Sequence, residues 1–548
     1  MKEIKELFDK PISRRHFLIA MAAGMATTDW TKIEALAAKV GPKSDYPVIV
    51  IGAGLGGLTA ATYLARNGFP VTLIEQHDIP GGYATSFDRG AGKFTFDVSL
   101  HAAGGIAQIL EECGVKEKVE LIKLPELCRV ITPDYDLIWP QKDPEGIIRV
   151  LSEKFPQEAK GIRSIIRQMV DTIHEAEKPF NEKSFLSRIL FWYTHPIMWS
   201  MRNQTWAQVL DKHIKDPKLK YILSVFWGYY GLPPSKLSGF LYTIATGGLI
   251  LGGAEYIKRR SQDLSNALME TVEKHGGRVI LGTEAKNILI KDGNVVGVRT
   301  ADGKTYTARA VISNANAPAT FEKMLPPGAV SDNYMAKLQT YQPSLSTFVV
   351  WLGLKKEIRG KIKGYEIFVS DGYDYDPEAD YKACLAADAS KAGFCVAVYD
   401  NVYPGYSKPG KSSVTLIMGC GYEPWKRFET DYFAGRNKAY QKEKNRITQI
   451  LIKRAEARVI PGLRSMIEVM DAATPLTNVR YTKNPEGGIL GYEWSMNNAF
   501  MNRIKNQTPV KGLYLASAWG NPGGGYWGAM SGGQSTFKAL MEDWGHKT

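Results

Sequence analysis

Apolar and polar positions follow two rhythms along this chain. Val48–Ile51 is a run of four apolar residues ending in a glycine-rich turn, and beyond the turn Leu58, Ala61, Leu64 and Ala65 recur at helical spacing. A short continuous apolar run followed by a 3.6-residue period predicts a buried strand, a tight turn and a helix. Asn67-Gly68 stops that helix, and Val71–Ile74 is the next strand. From Asp143 to about Gly253 the period is helical, with amphipathic stretches at 147–155 and 162–173. A helix over 263–275 closes at Gly276-Gly277, and strands follow at 278–281, 285–290, 295–299 and 308–313, with Asp292-Gly293 and Asp302-Gly303 as hairpin turns. Residues 344–471 read as alternating strands and loops. A last strand at 512–518 leads through the turn 520–525 into a helix opening at Trp527.

This order predicts an α/β protein in which a Rossmann-type nucleotide-binding domain is assembled from three pieces, 46–130, 254–343 and 471–548. An inserted α+β substrate or cap domain comes from two more, 131–253 and 344–470. Residues 1–38 form a separate N-terminal region, joined by 41–47, whose Gly, Pro and Ser content is that of a linker.

The first turn, Gly52-Ala-Gly54-Leu-Gly56-Gly57, carries specific chemistry. Gly52 permits a tight turn, Gly54 lets a pyrophosphate approach the backbone, and Gly57 lets the helix pack closely, so that free N–H groups and the positive helix end face the phosphates. Glu75 ends the second strand, where a carboxylate binds a ribose 2'-hydroxyl and repels a 2'-phosphate. FAD and NAD both fit; NADP does not. The terminal turn repeats the device in another sequence. Gly520, Gly523, Gly524 and Gly525 precede a helix running through Met530, and the turn is expected to face a flavin ring while the first faces the pyrophosphate. No second GxGxxG with its strand and helix is present, so no separate NADPH site is expected.

Bulk properties narrow the picture. The 548 residues are 44% hydrophobic, enough for large cores in two or more domains, and the formal charge of +13 suits an anionic cofactor or membrane surface. No basic block is interleaved with aromatics, which argues against nucleic acid. Cysteines 113, 128, 384, 395 and 420 show no CxxC or zinc spacing, so no metal is predicted, and buried free thiols are expected over a Cys384–Cys395 pair. Ser13-Arg-Arg-His-Phe-Leu18, the short apolar stretch 19–26 and Ala35-Leu-Ala37 have the form of a twin-arginine export signal with a small-residue cleavage site. This predicts a periplasmic or extracytoplasmic membrane surface, with cytoplasmic membrane association as the alternative. The aromatic stretches 191–199 and 226–230 are read as tunnel lining, a bilayer interface or cap core.

With these residues in view, the chain resembles the phytoene-desaturase-like flavoprotein superfamily, which includes carotenoid isomerases and retinol saturases, over nearly everything after residue 46. The resemblance rests on the first turn and Glu75, the doublet Gly81-Gly82, the apolar-Asp segment Phe94-Thr-Phe-Asp97, Ser313-Asn314-Ala315 and the terminal turn. It implies a two-dinucleotide-binding-domain flavoprotein holding FAD, with Gly81 and Gly82 at the cofactor and Ala285 on the strand whose backbone meets the adenine. It further implies hydride transfer at carbon–carbon bonds of an apolar isoprenoid, carotenoid or retinoid, by desaturation or saturation. A flavin-dependent polyene isomerase, an amine oxidase-like enzyme and a non-catalytic flavin protein are the alternatives. Electrons are expected to pass to or from a membrane quinone, a redox protein or oxygen. Many relatives carry His before Pro-Gly where this chain has Asn521, and Ser99 stands where glycine is frequent. His101, Tyr492 and Asn521 are the polar residues expected near the ring.

Overall fold

The computed structural model describes residues 30–98, 102–178, 189–372, 374–498 and 503–545. Its nucleotide-binding half is a five-stranded, all-parallel sheet in the order Leu513–Leu515, Ala310–Ser313, Val48–Ile51, Val71–Ile74, Arg278–Ile280. Every residue of the central strand Val48–Ile51 is buried, as a parallel strand covered on both faces requires. Strands from residues 48–74, 278–313 and 513–515 thus share one sheet.

The helix after the first turn, Leu55–Arg66, is buried at every position except Arg66. It lies between the terminal helix Gly525–Gly545 and the helix Ser261–Lys274. The predicted stripe is thus only part of a surface that is covered all round, including Thr59 and Thr62. The crossing with the terminal helix depends on glycine: a methyl group on Gly533 would come within 2.4 Å of the Gly56 carbonyl oxygen. Asn67 caps the helix and Gly68 follows at φ +79°, as the stop signal predicted.

Residues 41–47 do not separate a leader from the folded enzyme. Trp30–Lys39 is a helix packed on the terminal helix, and Ile33, Ala37 and Val40 belong to the same hydrophobic core as Leu58 and Leu64. The predicted cleavage site at Ala35–Ala37 lies inside this helix, with Ala37 fully buried. Its i, i+4 apolar spacing is what the linker reading overlooked. The paired arginines and the apolar stretch 19–26 lie outside the described residues.

The second half is a seven-stranded sheet in the order Ile467–Ala473, Ser346–Leu354, Ser412–Cys420, Phe394–Val398, Glu366–Val369, Cys128–Ile131, Asp136–Trp139. All neighbours are antiparallel except Glu366–Val369 with Cys128–Ile131. Two predicted boundaries move: Cys128–Ile131 belongs to this sheet and not to the first nucleotide-binding piece, and Ile467–Ala473 carries the sheet past residue 470. Residues 344–471 also contain the helices Pro377–Leu385 and Lys438–Arg458, where strands and loops were expected. In the longer helix the buried Tyr440, Ile447, Leu451, Ile452 and Ala455 are outnumbered by charged residues, which blurs the period. All five cysteines are free and buried.

Helices Pro144–Lys154, Ala159–Ala176 and Gly239–Gly252 form the cap over this sheet. The predicted amphipathic faces are the buried ones: Ile147, Ile148 and Leu151 in the first, Ile162, Ile165, Ile166 and Met169 in the second. The Asp143 carboxylate caps the first helix by accepting the Gly146 N–H at 2.8 Å. Among the described residues, no helix is long and apolar enough to cross a membrane.

Candidate active site

The strand Val48–Ile51 delivers the chain to Gly52, whose φ of +92° makes the turn, and Gly54 then stands at the helix N-cap with no side chain satisfying the first N–H groups. Those donors are open to an anion. The adjacent glycines face protein backbone. A methyl group on Gly56 would come within 1.9 Å of the Ala516 carbonyl oxygen, and one on Gly57 within 2.1 Å of the Gly52 carbonyl oxygen. Gly52, Gly54 and Gly56 line the cavity described below, whereas Gly57 serves the turn itself.

The Glu75 carboxylate is buried at the end of the second strand. Its Oε2 accepts the Ala53 N–H at 2.6 Å and its Oε1 the His77 N–H at 2.9 Å, which fixes it beside the turn with lone pairs left for a ribose hydroxyl. Gly81, at φ +125°, donates its N–H to the Ala53 carbonyl at 2.7 Å, and Gly82 lies against Gly54, so the doublet closes over the first turn. A side chain at Gly81 would strike the Ala84 carbonyl at 2.4 Å. Ala285 and Glu284 line the same space.

The terminal turn leaves the same carboxyl-terminal end of the parallel sheet, from the edge strand Leu513–Leu515. Asn521 lines the cavity, and its backbone is held on both sides by the Asn506 side chain: its N–H donates to Oδ1 at 2.9 Å and its carbonyl accepts Nδ2–H at 2.8 Å. Arg503 donates to the Gly520 carbonyl at 2.6 Å and the Ala518 carbonyl at 2.8 Å, with its guanidinium 3.9 Å from the Trp494 ring centre. Burial pulls this guanidinium down to about 9. Gly524 and Gly525 line the cavity, together with Tyr526, Trp527 and Ala529 of the helix start.

Other predicted site residues stand behind this surface. Gly520 and Gly523 shape the turn without lining the cavity, and a methyl group on Gly523 would enter the Trp494 ring at 2.2 Å. Met530 is fully buried in the nucleotide-domain core, because the helix turns that position inward. Tyr492 packs between Tyr341 and Trp519, and burial raises its phenol, so it supports the turn from behind and does not reach the cavity. His101 lies outside the described residues.

Several participants were not foreseen. Asn314, at the end of strand Ala310–Ser313, donates its amide to the Ala516 carbonyl and places Oδ1 against Gly54, joining all three chain segments. Asp97 is 1% exposed and gathers the two halves of the molecule. Its carboxylate accepts Ser86 Oγ–H at 2.8 Å, the Ser261 N–H at 3.0 Å and the Tyr256 hydroxyl, while its carbonyl accepts the Trp351 indole N–H at 2.7 Å. Of these, only Asp97 and Asn314 left a trace in the sequence, within motifs already noted; Asn506 and Arg503 left none.

Between the two turns lies one continuous cavity of about 1610 Å³. Ligand pockets are usually about 300–1,000 Å³, so this space accommodates a dinucleotide and a second molecule. From Glu75 and Ala285 it runs past Gly524 to Trp351 and Val349 on the seven-stranded sheet, and up to Tyr229, Phe240, Ile244 and Leu249 of the cap. The cap end is mainly apolar. Of the aromatic stretches, 226–230 contributes Tyr229 and Tyr230, while 191–199 does not line the cavity: Phe191 and Met198 are core, and Trp192 and Tyr193 are 49% and 70% exposed.

An uncapped helix start, a buried carboxylate at the ribose position and a second helix start at the far end of a long cavity fit FAD. Fold and site thus define an FAD-binding oxidoreductase of the two-domain type. The profile for "Flavin containing amine oxidoreductase" matches residues 55–431, well over half of the chain, and the protein belongs to that family. Its relatives include an all-trans-retinol 13,14-reductase of Danio rerio, 26% identical over 510 residues and covering 86% of this chain and 82% of the relative. Another is a chloroplastic prolycopene isomerase of an Oncidium hybrid cultivar, 24% identical over 511 residues, covering 89% and 82%. Among solved structures, an oxidoreductase from Methanosarcina mazei superposes with a TM-score of 0.59 at 19% identity, covering 90% of this chain and all of the other. The cyclohexylamine oxidase of Brevibacterium oxydans gives 0.59 at 15%, covering 92% and 99%. These likenesses show the fold.

Proposed function

We propose that the protein moves hydride to or from a carbon–carbon bond of an apolar, isoprenoid-type polyene. One observation carries this reading: the dinucleotide cleft opens without interruption into an apolar chamber between cap and sheet. When bound, FAD supplies a ring that gives or takes hydride. The chain's part is to bind, orient and exclude water. The first turn presents N–H groups to the pyrophosphate and Glu75 receives the ribose. The N-terminus of the terminal helix favours negative charge on the ring by a few tenths to about 2 kcal/mol. Phe240, Ile244, Leu249, Val349 and Ile417 offer an extended substrate shape and dryness in place of polar handles. The names of the retinol reductase and prolycopene isomerase relatives support this substrate class.

The test is anaerobic incubation of the yellow holoenzyme, oxidised and pre-reduced, with a polyene. Saturation re-oxidises the reduced flavin and adds two hydrogens to the product; desaturation does the reverse. Isomerisation, the second reading, is favoured by the prolycopene isomerase relatives and leaves product mass unchanged. Unaltered polyene and flavin spectra in every arm contradict both.

The same proposal places the protein on an extracytoplasmic membrane surface, exchanging electrons with a quinone or redox protein. Support comes from the paired-arginine segment, the net charge of +13 and the exposed Trp192 and Tyr193 on the cap. Flotation with anionic vesicles is expected and should weaken in Trp192→Ala/Tyr193→Ala; flotation equal to wild type would remove the membrane contact. With Ala37 buried, leader removal is expected upstream of Trp30. The intact mass of exported protein checks this, and a mature chain starting at Ala38 would contradict it.

A further inference from the structure

One row of side chains carries the floor of the cavity beyond the cavity itself. On the seven-stranded sheet Val349 is opposite Ile417, Ile417 opposite Cys395, Cys395 opposite Phe368, and Phe368 opposite Val130. Directly opposed residues share a face, so these five form one row across four strand spacings, roughly 19 Å. Val349 lines the main cavity, Ile417 and Cys395 line both it and a side chamber of about 100 Å³, and Phe368 and Val130 line the chamber alone. The cofactor end of the row is Val349: its strand neighbour Trp351 is tied through Asp97 and Ser261 to Tyr526 at the start of the terminal helix. The chamber therefore continues the floor away from the terminal turn. A water molecule needs roughly 10–15 Å³, so this space is more than a packing defect.

Its walls ask for nothing polar. Asp380 accepts the Tyr221 hydroxyl at 2.9 Å and the Gly393 N–H, Ser346 donates to the Gly487 carbonyl at 2.8 Å, and the Thr132 hydroxyl lies 3.1 Å from that of Tyr375. Among the described residues, no buried side-chain polar atom of the chamber wall lacks a partner. The rest of the lining is mainly apolar, with Val225, Trp227, Leu345, Phe368 and Phe394. Such a space favours hydrocarbon, by roughly fourfold in affinity for each methylene buried.

The entrance is bordered by two adjacent residues of the short helix Trp227–Tyr230. The Tyr229 ring is held by its hydroxyl, which donates to the buried Glu366 carboxyl, and by edge contact with Phe368. Gly228 is exposed although Phe226 and Trp227 before it are buried. A methyl group on Gly228 would meet no atom within 4 Å, and its φ is not positive. At Gly56, Gly57 and Gly523, by contrast, a methyl group strikes protein. Glycine weakens a helix relative to alanine, and nothing in the local backbone or packing requires it at 228. What the missing side chain does is leave the passage clear.

We propose that the chamber receives the unreactive hydrocarbon tail of the substrate, and that Gly228 sets the preferred substrate length by keeping the entrance open. This rests on the polyene reading and deepens it: the substrate extends past its reacting bond by a tail long enough to pass Gly228.

The experiment titrates FAD-loaded protein with polyenes that share one conjugated segment and carry none, one, two or three saturated isoprene units at one end, reading polyene absorbance and protein fluorescence. In wild type, affinity is expected to rise by roughly tenfold or more when a tail first reaches the chamber, and to level off once the chamber is full. Gly228→Leu should abolish that rise, so that tailed and tailless members bind alike, with flavin content and melting transition as in wild type. Gly228→Ala, which puts one carbon into open space, should reduce the rise, and it decides the matter should Gly228→Leu fail to retain flavin. A wild-type affinity indifferent to tail length, or a rise that both variants leave intact, overturns the tail chamber while leaving the polyene reading standing. Failure of every member to bind overturns the polyene reading and this inference together.

Discussion

The two glycine turns that border the cavity are held in place by different physical means. The first takes its shape from within: Gly52 bends, Gly54 leaves a helix end open, Gly57 presses on the Gly52 carbonyl and Glu75 is pinned by two N–H groups of its own segment, while Gly56 packs this finished turn onto the distant Ala516 backbone. The terminal turn is held from outside, by Asn506 and Arg503 on its carbonyls and by the Trp494 ring under Gly523. A self-supporting turn is a property of a short stretch of sequence. A scaffolded one belongs to residues far from it.

That contrast predicts separable failures. The largest belongs to Gly56→Val, which drives side-chain atoms into the Ala516 carbonyl where neither backbone has room to move. A loss of about 3 kcal/mol or more is expected, seen as insoluble or colourless protein and a collapsed melting transition. Yellow, normally melting Gly56→Val protein would break the comparison at its root. Next comes Arg503→Met, which strips charge-assisted donors from the Ala518 and Gly520 carbonyls and should cost roughly 2–3 kcal/mol. Its expected signature is substoichiometric flavin with unchanged far-ultraviolet circular dichroism. Arg503→Lys should recover only part, since an ammonium lacks the planar fork that spans both carbonyls. Full flavin occupancy in Arg503→Met would mean that the terminal turn, too, supports itself.

Smaller for each unit of pH is a dependence that neither turn supplies. Glu366 is raised from 4.5 to about 8, so between those values the folded protein holds a proton that the unfolded chain has released. Stability must therefore fall as pH rises through that window, by at most about 1.4 kcal/mol per unit from this group, and its contribution to the slope vanishes above pH 8. Glu366→Gln should flatten the melting-temperature profile relative to wild type. An unchanged slope would show that other groups, such as Glu126 or Asp380, carry the dependence.

Legibility in the sequence followed the same division. The first turn, Glu75, the Asp292-Gly293 hairpin and the cap helices announced themselves through local period and turn chemistry, which a linear reading detects. Asn506 and Arg503 gave no signal, because each acts on a segment more than ten residues away through carbonyls that any residue possesses. Tyr492 and Met530 were read as cofactor neighbours because they flank the right motifs; helix phase and ring packing turned them into the core instead. The helix Lys438–Arg458 escaped because its apolar face is narrow and its other faces are crowded with lysine and arginine. The helix Trp30–Lys39 was missed because its alanines were read as part of an export signal.

The knot at Asp97 bears on how molecules come and go. Of its four hydrogen bonds, those from Ser86, Tyr256 and Ser261 gather segments outside the seven-stranded sheet, and the one from Trp351 ties them to that sheet. A clam-shell opening of the two halves would have to break the Trp351 bond in a dry interior, which holds the rear wall of the cavity shut at that point.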